Sequence, residues 1–225
     1  MISKNDYQML RNLEDFQYLP IDHFDKLMAA TGLRKAPKNH ILFFKGDNRD
    51  KLFLIKSGYV KLEDTDSSGS FLYTDYVKHN TTFPYGGILL EKTYDFSARA
   101  ITDIEYFYIP VDLYESFLIT NSAQLKVLCQ KLSRLLRLHE IRLRNVVTSS
   151  AQDRVIQSLA ILLFDICEDN ILPFPITTVE IASLSATTRE TVSHVLKSLK
   201  EKKILELNGR KLIFLKRDYF LNYMN

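Results

Sequence analysis

From about Asn121 the apolar pattern turns helical and stays so for some 27 residues. Leu125, Leu128, Leu132, Leu135, His139, Arg142 and Val146 fall at spacings of three and four, and Leu136, Leu143 and Val147 widen them into a broad band. So wide a band needs more than one packing partner. A β-domain suits one side. A second copy of the same helix, paired as a coiled coil, suits the other. That reading places Leu125, Leu128, Leu132, Leu135, His139 and Val146 at a homodimer interface, although His139 and Arg142 interrupt the seam. A monomeric core helix is the alternative.

The chain before this helix has a different texture. Six of the seven glycines lie before residue 90. Short apolar runs alternate with turn signals: Ile41 to Phe44 then Lys45-Gly46-Asp47, and Leu52 to Ile55 then Lys56-Ser57-Gly58. Tyr59 to Leu62, Phe71 to Tyr73 and Ile104 to Ile109 continue the pattern. Evenly spaced strands of this composition predict a β-sandwich or barrel over about 38–110. The first 35 residues read as helical, with Asp22 capping a helix that runs through Met28.

After the long helix, Thr148-Ser149-Ser150 is a polar break. A second helix follows, with Val155, Ile156, Leu159, Leu162, Leu163, Ile166 and Cys167 on one face, closed by Pro173 and Pro175. Thr177-x-x-Glu180 is a capping box opening a short helix through Leu184. Ser185-Ala186-Thr187 is a tight connector. Thr187-x-x-Glu190 repeats the capping pattern and opens a helix to about Lys202, whose buried face is Val192, Val195, Leu196 and Leu199. Two helices joined by a short turn predict a helix-turn-helix. Leu207-Asn208-Gly209-Arg210 predicts a β-hairpin with an Asn-Gly turn, which makes the unit winged.

Charge follows the same division. The chain carries +3 overall, which by itself says nothing of partners. Residues 177–217 hold nine Lys or Arg against four acidic residues, a net of +5; the other 184 residues hold 21 against 23, a net of −2. A basic module on a neutral body is what phosphate contact requires. A solvated basic helix face is the bland alternative.

Two cysteines, Cys129 and Cys167, are too few for a disulfide framework or a four-thiolate metal site. No apolar segment at the N-terminus reads as a signal peptide, and the run Leu159 to Phe164 is too short to span a bilayer. These features predict a cytoplasmic protein with no membrane partner. His40 and His79 are isolated, with no H-x-H pair, and no nucleophile triad, phosphate loop or paired-carboxylate motif occurs. The expectation is a protein that is no enzyme and has no metal or cofactor.

Ile176-Thr177-x-x-Glu180-Ile181-Ala182, followed by Thr188-Arg189-Glu190-Thr191-Val192-Ser193, resembles the DNA-binding signature of the Crp/Fnr family of bacterial transcription regulators. Phe44-x-Gly46-Asp47, Leu52 to Leu62 and Ala98 to Glu105 resemble that family's β-roll. The resemblance covers nearly the whole chain in order. It implies an α+β protein with an N-terminal β-roll of cyclic-nucleotide-binding type (1–120), a long dimerisation helix (121–148) and a C-terminal winged helix-turn-helix (149–225). It also implies double-stranded DNA, a second copy of the chain and RNA polymerase as partners, and activation as the more common output.

The DNA-binding residues it points to are Thr188, Arg189, Glu190, Ser193 and His194 on the second helix, with Lys197, Arg210 and Lys211 on phosphates. Glu190 can accept from a cytosine amine, and Arg189 can reach a guanine edge or a phosphate. Position 194 is usually arginine in the family. Histidine there lacks the bidentate fork, so discrimination at that base is expected to relax. Glu190 with Ser193 is similar to the Fnr-like variant, which implies a two-fold operator with TGA-containing half-sites.

Elsewhere the chain departs from its relatives. Cyclic-AMP-binding members hold the phosphate with an Arg-Ser pair; Tyr94 and Asp95 stand at those positions. The ribose-binding glutamate falls within Phe83-Pro84-Tyr85-Gly86-Gly87, which has no acid. Tyr85, Gly86, Tyr94 and Asp95 therefore mark a candidate effector pocket with no usual cyclic AMP site, empty, filled by rings such as Tyr85 and Phe96, or open to another effector. A sensor of a different ligand is the alternative function. Without a cysteine before Cys129, the cluster of the Fnr oxygen sensors cannot form within one chain. Phe83-Pro84 and the Thr188 to His194 run look like the branch of low-GC Gram-positive bacteria that includes regulators of arginine and anaerobic metabolism.

Overall fold

The computed structural model describes residues 2–65, 72–209 and 211–224. They form two compact units, one of residues up to 62 with 77–139, the other of 63–76 with 140 onward. Phe71, within the expected strand at 71–73, lies outside the described residues.

The first unit opens with α1 (Lys4–Asn12), capped by the Ser3 hydroxyl, which accepts from the Asp6 N–H at 3.1 Å. Helix α2 (Ile21–Ala30) starts after Pro20 and has no side-chain cap. Asp22 sits inside its first turn, which corrects its expected capping role. The chain then becomes strand β1 (Gly32–Ala36), so the helical reading of the first 35 residues ends too late. Seven more strands follow in chain order, the end of β4 and nearly all of β5 falling in the segment 63–76 of the second unit: β2 (Ile41–Phe43), β3 (Lys51–Ser57), β4 (Val60–Thr65), β5 (Leu72–Val77), β6 (Thr81–Phe83), β7 (Ser97–Ala100) and β8 (Ile104–Pro110). They form two four-stranded sheets, ordered β1-β8-β3-β6 and β2-β7-β4-β5. Gly58 makes the turn between β3 and β4 at φ +83°, and a side chain there would meet the Asp103 carbonyl at 2.3 Å.

Strand β3 shows how the pattern sets the packing. Leu52, Phe53, Leu54 and Ile55 are all buried, because successive side chains leave on opposite faces. Leu52 and Leu54 join Phe16, Phe24 and Tyr114 in one core; Phe53 and Ile55 join Phe43, Phe83 and Tyr94 in another inside the roll. Strand β8 divides alike, Phe107 and Ile109 to the first core and Ile104 and Tyr106 to the second. A sheet covered on both faces reads as a continuous apolar run.

Helix α3 (Val111–Thr120) leads into α4 (Ser122–Thr148). The start of α4 is bound to residues 14–18 by Gln124, which donates to the Glu14 carbonyl at 2.7 Å and accepts from the Tyr18 N–H at 2.9 Å. Lys131 reaches the buried Asp15 carboxylate at 2.8 Å, which also accepts from Thr82 at 2.9 Å and from Tyr85. The buried charge is held by this full set of partners.

Leu128 is buried in the protomer's own core, and Leu125, Leu132 and Leu135 pack against it. This corrects the place of Leu128 in a dimer seam: its face of α4 is already covered. The exposed face carries Cys129, Leu136 and Leu143 at intervals of seven, flanked by His139, Val146 and Val147.

In the second unit, Ser150 caps α5 (Ala151–Ile161) by accepting from the Asp153 N–H, and a π-helical turn follows at Leu162–Ile166. Then come α6 (Thr178–Leu184), α7 (Arg189–Glu201), the hairpin β9 (Leu205–Asn208) and β10 (Lys211–Phe214), and α8 (Arg217–Leu221). Val155, Leu159, Leu163, Val192, Leu199, Leu212 and Phe220 are fully or nearly fully buried. Residues 63–76 belong here through Tyr76, whose ring lies 4.8 Å from Phe174, and Asp75, which meets Arg142 at 3.2 Å. Among the described residues no helix is long and apolar enough to cross a membrane.

Candidate nucleic-acid interface

Helix α6 begins with the expected capping box. The Thr177 hydroxyl accepts from the Glu180 N–H at 3.2 Å, and the Glu180 carboxylate accepts from the Thr177 N–H at 2.9 Å. Helix α7 starts one residue later than the sequence pattern places it. Its cap is Thr188, which accepts from the Thr191 N–H at 3.3 Å, and not Thr187. The difference arises in the turn. Ala186 takes φ +46° and the Thr187 N–H returns to the Ala182 carbonyl, so Thr187 still serves α6.

Arg154 holds this turn from α5. Its guanidinium donates to the carbonyls of Ser185 (3.0 Å), Ala186 (2.9 Å) and Ser149 (3.0 Å). Ser158, also on α5, donates to the Leu184 carbonyl at 3.1 Å. Neither residue stands out in the sequence, because both act on main-chain atoms some thirty residues away.

On α7 the buried side is Val192, Val195, Leu196 and Leu199, as the spacing predicts. That burial turns Arg189, Glu190, Ser193, His194 and Lys197 outward together, and all are exposed, with Thr188 at the helix start. Ser193 donates to the Arg189 carbonyl at 2.9 Å, so its oxygen remains as an acceptor. The Glu190 carboxyl is held below the usual range by its own backbone N–H and by the Thr188 hydroxyl. It is therefore an ionised acceptor at the positive end of a helix dipole.

The wing differs in detail from its expected turn. Asn208 pairs with Lys211 as part of β9 rather than lying in the turn, and Gly209 follows it at φ +63°. Lys211 is exposed beside it, while Arg210 lies outside the described residues. Arg217, one of the nine basic residues, has structural work: it donates to the Asn170 side chain at 3.0 Å and covers the Phe164 ring at 4.5 Å. Burial pushes the nearby Cys167 thiol up to about 12, against a smaller opposing effect of Arg217.

The four residues named as an effector pocket do not converge. Tyr85 packs with the helices and Leu128, whereas Tyr94 lies in the core inside the roll. Gly86 and Asp95 are exposed. Tyr94 stacks on Phe43, their centroids 3.7 Å apart, with Phe53 and Phe83 close by. These rings, rather than Tyr85, fill the interior. Among the described residues no three His, Cys, Asp or Glu side chains are grouped as metal ligands.

Comparison with known proteins agrees with this architecture. Residues 33–121 match the cyclic nucleotide-binding domain, and residues 153–222 match the Crp-like helix-turn-helix domain. The global nitrogen regulator of Synechococcus elongatus is 25% identical over 190 residues, 80% of this chain and 84% of that protein. The HTH-type transcriptional regulator ArcR of Staphylococcus epidermidis is 24% identical over 208 residues, 90% of each chain. The solved structure of FixK2 from Bradyrhizobium japonicum superposes with a TM-score of 0.74 at 17% identity, covering 86% of this chain and 96% of that one, a likeness of fold.

Proposed function

The chain belongs to the Crp/Fnr family of transcription regulators, and from that premise we propose that it acts as a cytoplasmic homodimer that activates transcription from a two-fold symmetric operator. The observation that carries this reading is the single outward face of α7. Glu190 accepts from a cytosine amine. Arg189 and His194 approach guanine edges or phosphates, and Ser193 offers an acceptor to a base amine. Lys197, Lys211 and Arg210 serve phosphates and set affinity more than sequence.

The working parts are the roll (1–120), the dimerisation helix (121–148) and the winged helix (149–225). The dimer seam we propose is the exposed heptad row of Cys129, Leu136 and Leu143 with His139 and Val146, beside the row through Leu128 that the protomer's own core covers. RNA polymerase is the further partner, as activation requires. The resemblance to the low-GC Gram-positive branch favours target genes of arginine or anaerobic metabolism.

Selection of bound sites from a random DNA library, followed by footprinting, tests the reading. The expected product is an inverted repeat with half-site centres about 34 Å apart, one turn of DNA. Protection of a lone half-site by a monomer would overturn it.

A further inference from the structure

The first unit contains a cavity of about 220 Å³ at the mouth of the roll, between β1, β3, β8 and the turn after β2. Of the positions where relatives bind a cyclic nucleotide, 83–87 and 94–95, only Tyr94 lines it. The cavity shares that one residue with those positions, and its occupancy is a question beyond the DNA-binding reading.

Aromatic rings and polar side chains line it together, and the rings are fixed. Phe43 and Tyr94 lie stacked, with an interplanar angle of 17°. The Tyr94 hydroxyl donates to the Lys51 carbonyl at 2.8 Å and accepts from the Lys51 N–H at 3.3 Å, which holds the ring at its far edge. Tyr106 is buried, and Tyr108 lies beneath the Arg34 guanidinium at 4.7 Å. A site built from such rings needs little reorganisation to receive another flat group.

Its lining charges balance, Arg34 and Lys51 against Asp47 and Asp50, and Arg34 is the cation placed to meet an anion. Both lining carboxylates have local partners: Asp47 accepts from the Phe44 N–H at 2.8 Å and closes the turn, and Asp50 pairs with the Lys51 ammonium. Arg34 is engaged by the Tyr108 ring and by a hydrogen bond to Tyr106 rather than by a carboxylate. Its planar fork is suited to bidentate contact with a carboxylate, and His40 adds a second donor at the rim. The volume falls below the roughly 300 Å³ at which sites for drug-sized molecules begin, which fits one ring and one charged group.

We propose that this cavity binds a small aromatic carboxylate, its ring among Phe43, Tyr94 and Tyr106 and its carboxylate on Arg34. The test is amide-resonance titration of the full-length protein with benzoate, with acetate as the anion lacking a ring and benzyl alcohol as the ring lacking a charge. Benzoate is expected to shift the amides of residues 34, 40, 94, 106 and 108 saturably, with a Kd of about 1 mM or below. Acetate and benzyl alcohol are expected to bind at least about tenfold more weakly, and Arg34→Ala to weaken benzoate by about tenfold or more. Arg34 is exposed, so unchanged resonances outside the cavity establish that the variant folds. No saturable shift up to about 10 mM benzoate, equal binding of benzyl alcohol, or unchanged affinity in a folded Arg34→Ala protein overturns the proposal. The comparison of the three ligands on the unaltered protein decides the matter even if that variant does not fold.

Discussion

Glu190 is the residue on which reading of the operator turns. Its carboxyl is held below the ordinary range by its own N–H and the Thr188 hydroxyl, so it stays an acceptor down to about pH 5. Preference at the base pair it faces is expected to stay level from about pH 8 to 5 and to fade only at lower pH, as measured by competition binding. Replacing Glu190 by Ala is expected to relax that one position by about 1–3 kcal/mol. Equal losses on specific and random DNA would instead mark Glu190 as a helix cap alone. Arg154 has a different task. Truncation to Ala leaves three carbonyls without their charged donor, with an expected cost of about 2–3 kcal/mol in urea denaturation. A third site titrates. Burial pushes the Asp6 carboxyl up, but hydrogen bonds from Lys56 and Ser3 outweigh it and leave it lowered. The Lys56 ammonium is raised, mainly by its hydrogen bond to Asp6. A lowered acid stabilises the fold above its unfolded pKa and loses that contribution as pH falls through the folded value; a raised base loses its contribution as pH climbs past about 10.5. Thermal unfolding followed between pH 2 and 11 is expected to give a plateau from about pH 5 to 9, and Asp6→Asn to flatten its acid limb.

Helix α4 separates two kinds of apolar residue that one stripe of sequence confounds. Leu128→Ala is expected to destabilise the protein by about 2–5 kcal/mol, since it opens a hole in a closed core. Leu136→Glu and Leu143→Glu touch an exposed face, so their expected effect is a monomer with intact circular dichroism and lost operator binding, read by sedimentation. A folded dimer in both Glu variants would remove the seam. The position and length of α4 were legible in the sequence because its spacing is uniform over 27 residues. Its orientation was not, because the rows through Leu128, through Leu132 and through Leu136 lie side by side, and only the surface of the roll selects among them. Strand β1 was hidden for a related reason. Gly32-Leu33-Arg34-Lys35-Ala36 lacks a full apolar alternation, and the strand exists through pairing with β8. The outward face of α7 was plain, since Val192, Val195, Leu196 and Leu199 fix which side is buried.

For the molecule as a whole, the relevant quantity is the uneven placement of charge, +5 on 41 residues within a chain of +3. Binding of any duplex is expected to weaken steeply with salt, the slope of log K against log salt changing by about 0.9 for each phosphate contact removed. Lys197→Ala and Lys211→Ala are expected to lower affinity for operator and random DNA alike and to flatten that slope by about one each. Specificity and adhesion thus belong to different side chains, and the structure keeps them apart in a further way. Arg154 grips the turn before α7 only by carbonyl oxygens, atoms that every residue type possesses. Substitutions along the reading face leave that grip untouched, so new operators can be learned by changing a few outward side chains while the docking angle is inherited intact.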